Sequence, residues 1–248
     1  HQVSLFVLFL RLGGQLHLAG VPPGRGEFLI FAEDMACQVV LQGIRVVLNH
    51  SVDETTLAAE KPDFLILATG GESITPAIPG VGQDHVVQAW DVLAGKAATG
   101  RRVVIVGGGA VGIETALLLA EKGTLSGEEI KFLLVNGAVT PEKLYKLATE
   151  GSKEITVVEM VDTLGSNFGK STRWGMLQDI ARYGVKTLLQ AKVLEITEAG
   201  VREEHGGVTS ELPADSVVLA VGTRAANPLE QVAVKLAIPF QVVGDALS

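Results

Sequence analysis

Cysteine is nearly missing from this 248-residue chain, in which Cys37 stands alone. A single thiol excludes an internal disulfide, a cysteine-ligated metal cluster and a CxxC or CxxxxC redox pair, and it suits a reducing compartment such as the cytoplasm. Cys37 falls in a stretch of helical spacing and reads as a buried structural thiol. Histidine offers no metal site either, because His1, His17, His50, His85 and His205 share no ligand spacing with one another or with Cys37. No Ser/His/Asp arrangement and no acid pair stands out, so no catalytic residue is assigned. Trp90 and Trp174 read as packing residues rather than a stacking platform. Positive charge is scarce, with 20 Lys and Arg against 28 Asp and Glu for a net −8. That balance argues against nucleic acid or an anionic membrane as a partner. The apolar run 3–10 is too short to cross a bilayer, lacks a basic leader and shows no small-residue cleavage pattern. It reads as a buried strand.

Apolar residues and glycine are plentiful. The hydrophobic fraction is 47% with 29 glycines, and the mean hydropathy is +0.35. Such values fit parallel strands covered on both faces, in one large domain or two medium ones.

The most informative stretch is RRVVIVGGGAVGIETALLLAEKG, residues 101–123. Residues 102–106 form a short, mostly β-branched run, as in a buried parallel strand. Gly107, Gly109 and Gly112 follow at GxGxxG spacing. Val111, Thr115, Leu118, Leu119 and Ala120 then repeat with a helical period up to Gly123. In this layout Gly107 permits the tight turn, Gly109 lets backbone approach a pyrophosphate, and Gly112 lets the helix lie close on the strand. The helix start, with Ala110 and Val111, offers free N–H groups and the positive end of its dipole to phosphates. The strand and helix on either side of the motif are the context that separates it from a chance glycine turn.

Glu159 closes a second apolar run, Ile155-Thr156-Val157-Val158. An acid at that place accepts hydrogen bonds from the adenosine ribose and repels a 2′-phosphate, which favours NADH over NADPH. Its distance from the glycines far exceeds the usual span of about 20 residues. It qualifies only if the intervening helices, 127–135 after Ser126 and 141–149 after Thr140-Pro141, are an insertion; a solvated strand-end acid is the alternative. Lys170 and Arg173 lie near enough in sequence to keep NADPH open. A helix capped by Ser171 runs to Tyr183, and short strands follow, with His205-Gly206-Gly207 as a hairpin turn. Three further small turns, Ala68-Thr69-Gly70, Val221-Gly222 and Gly244-Asp245, end apolar runs and are ambiguous taken singly.

Taken together, RLGGQL (11–16), ATGG (68–71), VVIVGGGAVGIETA (103–116), KEITVVEM (153–160), AVGTRAANPL (220–229) and QVVGDA (241–246) carry a resemblance. Over nearly its whole length the chain resembles the C-terminal part of the NADH:flavin oxidoreductases related to 2,4-dienoyl-CoA reductase and trimethylamine dehydrogenase. The resemblance implies an α/β, two-dinucleotide-binding flavoprotein fold. In it an NAD(P)-binding Rossmann-like domain, 83–226, is inserted in a split FAD-binding domain, 1–82 with 227–248. It implies FAD contacts at Gly13, Gly14 and Gln15, at Ala68, Thr69 and Gly70, and at Gly244 and Asp245. Gly222 joins the nucleotide-binding turns. Members carry an insertion after the glycine-turn helix, which supports Glu159 as the ribose acid. In such enzymes NAD(P)H reduces FAD, and electrons pass through an iron–sulfur cluster to FMN in an N-terminal barrel that handles an enoyl or amine substrate.

The chain departs from that pattern in two ways. It begins at His1 with no glycine motif ahead of the first run, and the equivalent of the first ribose acid, near Val7, is apolar. Read so, it is an N-terminally truncated fragment expected to hold FAD poorly and to be inactive alone, without cluster cysteines or an FMN barrel. A non-catalytic ADP- or NAD-binding domain and a stand-alone ferredoxin- or rubredoxin-type reductase are the alternatives.

Overall fold

The computed structural model describes residues 2–247. From the N-terminus the chain runs through β1 (Ser4–Phe6), α1 (Leu16–Ala19), α2 (Glu27–Leu41), β2 (Arg45–Val47), α3 (Glu54–Glu60), β3 (Leu65–Leu67) and β4 (Gly71–Ser73). There follow β5 (Val86–Gln88), α4 (Ala89–Leu93), β6 (Arg102–Val106), α5 (Ala110–Ala120), α6 (Gly127–Val135), α7 (Pro141–Thr149), β7 (Glu154–Val158) and α8 (Lys170–Arg182). The remainder comprises β8 (Lys186–Leu188), β9 (Ala191–Thr197), β10 (Gly200–His205), β11 (Val208–Pro213), β12 (Ser216–Leu219), β13 (Thr223–Ala225), α9 (Glu230–Lys235) and β14 (Phe240–Val242). Two compact units result. A central unit covers Ile74–Gly222, and a split unit joins the chain up to Ser73 with that from Thr223 onward.

The central unit is built on one five-stranded sheet, β5-β12-β6-β7-β8, in which every pairing is parallel. Its strands are β-branched almost throughout, as expected when both faces are covered. Side chains alternate across the sheet. Val103, Ile105, Ile155, Val157 and Val218 face one core with Ile113, Ala116, Leu117 and Leu119 of α5 and Ile180 of α8. Val104, Val106, Val158, Val217 and Leu219 face the other, beneath Val193, Ile196 and Val201 of the antiparallel meander β9-β10-β11. The β10–β11 hairpin turns at Gly206 and Gly207, both at positive φ, as a two-residue loop matched to strand twist requires.

Between α5 and β7 lie α6 and α7, and local chemistry sets both starts. Ser126 accepts a hydrogen bond from the Glu129 N–H while Glu129 accepts from the Ser126 N–H, a complete capping box. Thr140 accepts from the Lys143 N–H, with Pro141 at the first helical position.

The split unit contains two separate parallel pairs, β1–β2 and β3–β14, and an antiparallel ribbon, β4–β13. Here the sequence expectations need the most correction. The run 3–10 is a strand only at Ser4–Phe6, and Val3, Leu8, Phe9 and Leu10 are exposed. The ladder with the three-residue β2 ends there, and although Val7 and Phe9 keep backbone bonds to Val47, His50 and Asn49, no sheet covers the side chains of Leu8, Phe9 and Leu10. The expected position of His1 lies outside the described residues. Cys37 is exposed on α2, a helix whose buried side is limited to Ala32, so it is not the buried thiol that its helical setting predicts. In the central unit, α8 starts at Lys170 after Gly169 without a side-chain cap, so Ser171 lies inside the helix. Trp174 is 67% exposed and packs little.

Candidate dinucleotide-binding site

β6 delivers the chain into the turn at the carboxyl edge of the parallel sheet. The Gly107 N–H continues the ladder onto the Val158 carbonyl at 2.9 Å, and at φ +107° the backbone takes a conformation that glycine adopts without strain. A Cβ on Gly107 would stand 2.4 Å from the Ala220 carbonyl oxygen. One on Gly112 would stand 2.0 Å from the Gly107 carbonyl oxygen. Both glycines are therefore needed by the protein's own backbone. Gly109 differs: its φ is −71°, and a Cβ there would meet nothing closer than the Asn167 amide at 3.8 Å. The open space of the turn lies over Gly109, ahead of the N-terminus of α5 with Ala110 and Val111. This is the cradle a pyrophosphate needs.

Glu159 comes directly off β7, the strand next to β6. Its backbone N–H donates to Leu188 at 2.8 Å, which fixes the strand end. Its side chain turns back onto the glycines: Oε2 accepts the Gly108 N–H at 2.5 Å and Oε1 accepts the Val161 N–H at 3.0 Å. A Cβ on Gly108 would press on this carboxylate and on Leu164. The long interval between turn and acid is taken up by α6 and α7, which leave the β6–β7 pairing intact. Just past β12, the other neighbour of β6, the Ala220 N–H donates to the Val106 carbonyl at 2.8 Å. Gly222, at φ +114°, lies just past the end of β12.

The segment linking β7 to α8 carries contacts that the sequence does not announce. Leu164 is buried against the core of α5, and Phe168 packs beside it. The Gly165 N–H donates to the Gly108 carbonyl at 2.8 Å. Asn167 Oδ1 accepts the Ala110 N–H, the first of α5, at 3.0 Å. The Arg173 guanidinium donates to the Leu164 carbonyl at 2.7 Å, so this cation is engaged in holding the segment. Among the described residues, no group of three or more His, Cys, Asp or Glu could hold a metal ion.

In the split unit three of the sequence-marked turns meet. β3 and β14 are parallel with Leu67 opposite Val242, so Ala68 and Val243 leave the sheet side by side. The Val243 N–H bonds the Leu67 carbonyl at 2.9 Å, and Gly244 and Asp245 begin a 3-10 turn immediately after. Gln15 reaches across from the Gly13-Gly14 turn, its side-chain amide donating to the Gly71 carbonyl at 3.1 Å and lying against Gly70. The Thr69 hydroxyl donates to the Ala226 carbonyl. Gly13, at φ +110°, lies against His17 and Ala32.

Each unit therefore presents its turns at the carboxyl ends of parallel strands, and the fold is that of the two-dinucleotide-binding flavoproteins. The chain belongs to the pyridine nucleotide-disulphide oxidoreductase family, whose sequence model matches residues 25–243. With one cysteine in the sequence, no disulfide within this chain takes part. A metal reductase of Desulforamulus reducens is 42% identical over 251 residues, covering 100% of this chain and 38% of that protein. An NADH oxidase of Thermoanaerobacter brockii is 33% identical over 252 residues, covering 99% of this chain and 34% of the relative. A 2-naphthoyl-CoA reductase solved with 2-naphthoyl-CoA superposes with a TM-score of 0.84 at 25% identity, over 100% of this chain and 34% of that one. The chain thus spans little more than a third of these proteins' lengths. These likenesses accord with the resemblance to the NADH:flavin oxidoreductases. Among the described residues, no helix is long and apolar enough to cross a membrane.

Proposed function

We propose that this chain is the NAD(P)H-binding module of a flavin-dependent oxidoreductase, with NADH at the glycine turn of the central unit and FAD at the gathered turns of the split unit. When bound, NADH supplies a hydride and FAD accepts it. In this reading the electrons go on to an FMN and iron–sulfur barrel domain of an enoate- or 2,4-dienoyl-CoA-reductase-like parent. The domain limits, 83–226 for the nicotinamide nucleotide and 1–82 with 227–248 for the flavin, belong to the same proposal. The names of the Desulforamulus and Thermoanaerobacter relatives, a reductase and an NADH oxidase, support the reaction class.

The observation that carries the nucleotide assignment is the Glu159 carboxylate bonded to the Gly108 N–H. It puts a negative group beside the turn, at the end of the strand next to β6. Each carboxylate oxygen accepts one backbone N–H and keeps a further lone pair for a ribose hydroxyl. A 2′-phosphate at that position would meet like charge. Backbone donors, Gly109, Ala110 and Val111, orient the pyrophosphate, while Gly107, Gly112 and Gly222 hold the turn open. In the split unit Gly13, Gly14, Gln15, Ala68, Thr69, Gly70, Gly244 and Asp245 provide the corresponding backbone and side-chain groups for the flavin nucleotide.

Calorimetric titration with NADH and with NADPH tests this. NADH is expected to bind at least about tenfold more tightly, a difference of roughly 1.4 kcal/mol, and Glu159→Gln should narrow the gap. Tighter binding of NADPH would overturn the assignment of Glu159. Reduction of FAD by NADH in the full-length parent separates hydride transfer from purely structural nucleotide binding.

A further inference from the structure

Asn167 occupies an unusual place in this arrangement. Its Oδ1 takes the Ala110 N–H at 3.0 Å, and both its amide atoms stand 3.8 Å from the point where a Gly109 side chain would begin. That point is the open space of the turn, and the Ala110 N–H is one of the donors a pyrophosphate would use. The amide of Asn167 thus takes a hydrogen bond that a phosphate oxygen bound at this helix start would also use. Its neighbours cannot leave easily. Leu164 is buried in the core with Phe168 against it, and Arg173 Nε holds the Leu164 carbonyl at 2.7 Å. Asn167 itself is exposed, so a change of its side-chain rotamer frees the donor while the segment stays in place.

We infer that Asn167 competes with the pyrophosphate for the N-terminus of α5, capping the helix until a nucleotide displaces its amide. The inference rests on the nucleotide reading of the glycine turn and adds a residue that tunes the affinity of that turn. Asn167 is a positioning residue: it stabilises the turn, and nucleotide binding must overcome its hydrogen bond. A residue of merely structural value would act in the opposite sense, its loss weakening fold and binding together.

Two variants of the full chain separate these cases, each followed by thermal melting without nucleotide and by calorimetric titration with NADH. In Asn167→Ala the melting temperature should fall by roughly 2–4 °C, as for a lost helix cap in a chain of this size. NADH should nevertheless bind about fivefold more tightly, because no cap has to be displaced. Asn167→Asp should do the reverse, with a higher melting temperature from a negative group at the helix start and NADH affinity lower by about tenfold or more. Weaker NADH binding in Asn167→Ala, or unchanged binding in Asn167→Asp, overturns the inference while leaving the site reading in place. Failure of the parent chain to bind NADH at all overturns the site reading and the inference with it.

Discussion

The central and split units share a plan of parallel strands ending in tight turns, yet they treat their apolar residues differently. In the central unit five parallel strands are continuous, and Ile105, Val157, Val217 and Val218 are fully buried between α5 and α8 on one face and the meander on the other. In the split unit no parallel strand has more than one neighbour among the described residues. Its fully buried apolar side chains are limited to Ala32, Leu57, Leu67, Ala233 and Ala246 among the described residues, whereas Phe31 on α2 and Phe64 and Ile66 at β3 are more than half exposed. Parallel sheets are stable when both faces are covered, and a two-stranded pair buries too little by itself. A short turn is easy to encode locally, but its rigidity comes from the sheet behind it. The glycine turn at Gly107 stands on a closed sheet, and the turns at Gly13, Ala68 and Gly244 stand on open ones.

The largest expected effect comes from disturbing the closed sheet. Gly112→Ala places a methyl 2.0 Å from the Gly107 carbonyl oxygen, and backbone has to move. We expect a loss of roughly 3 kcal/mol in denaturant unfolding, and a loss under half a kcal/mol would show that the turn is not braced as described. Hydrogen exchange comes next. Amides of β6 and β7 should open with free energies at least about 3 kcal/mol above those of β1 and β3, and equal protection would erase the distinction between the units.

The smallest effect lies at the opposite end of the central sheet, where Asp215 meets Arg102. Arg102 donates through its Nε at 3.0 Å to Asp215 Oδ1 and through its backbone N–H at 2.8 Å to Oδ2. The Arg102 side-chain hydrogen bond, followed by its backbone N–H, holds this carboxyl down to about 2. A lowered carboxyl value favours the folded state above the ordinary carboxylate range, so this contribution is complete near neutrality and is lost as pH falls from about 4 to 2. The pair is exposed, and its effect should be modest. Asp215→Asn should flatten the stability profile in that window and nowhere else, as acid denaturation curves of the two proteins would show.

Where structure follows from neighbours in sequence, the chain is easy to read. Ser126 with Glu129 and Thr140 with Pro141 mark the starts of α6 and α7 because a helix cap is a local hydrogen bond. The β6 strand, its glycines and α5 are legible for the same reason, as is the hairpin at Gly206-Gly207. Strand ends and burial are harder. The run 3–10 is apolar enough for a strand, but the parallel ladder with β2 covers only Ser4–Phe6, and Leu8, Phe9 and Leu10 are left exposed. Cys37 is exposed because α2 covers little, which its own spacing does not reveal. The β4–β13 ribbon joins residues about 150 positions apart and has no local signature. The site divides along the same line. Its glycines and Glu159 are visible as motif and strand end, whereas Asn167 touches α5 across 57 residues and belongs to no motif.

The central claim is that the space over Gly109 serves a nucleotide and not the fold. Gly109→Val tests it most directly, because the first atom of the new side chain, its Cβ, meets nothing closer than the Asn167 amide at 3.8 Å and φ is already −71°. NADH titration of this variant beside its melting curve gives the answer. The account predicts a melting temperature close to that of the parent, within about half a kcal/mol of stability, and no measurable NADH binding. Unchanged NADH affinity in a folded Gly109→Val chain would contradict it.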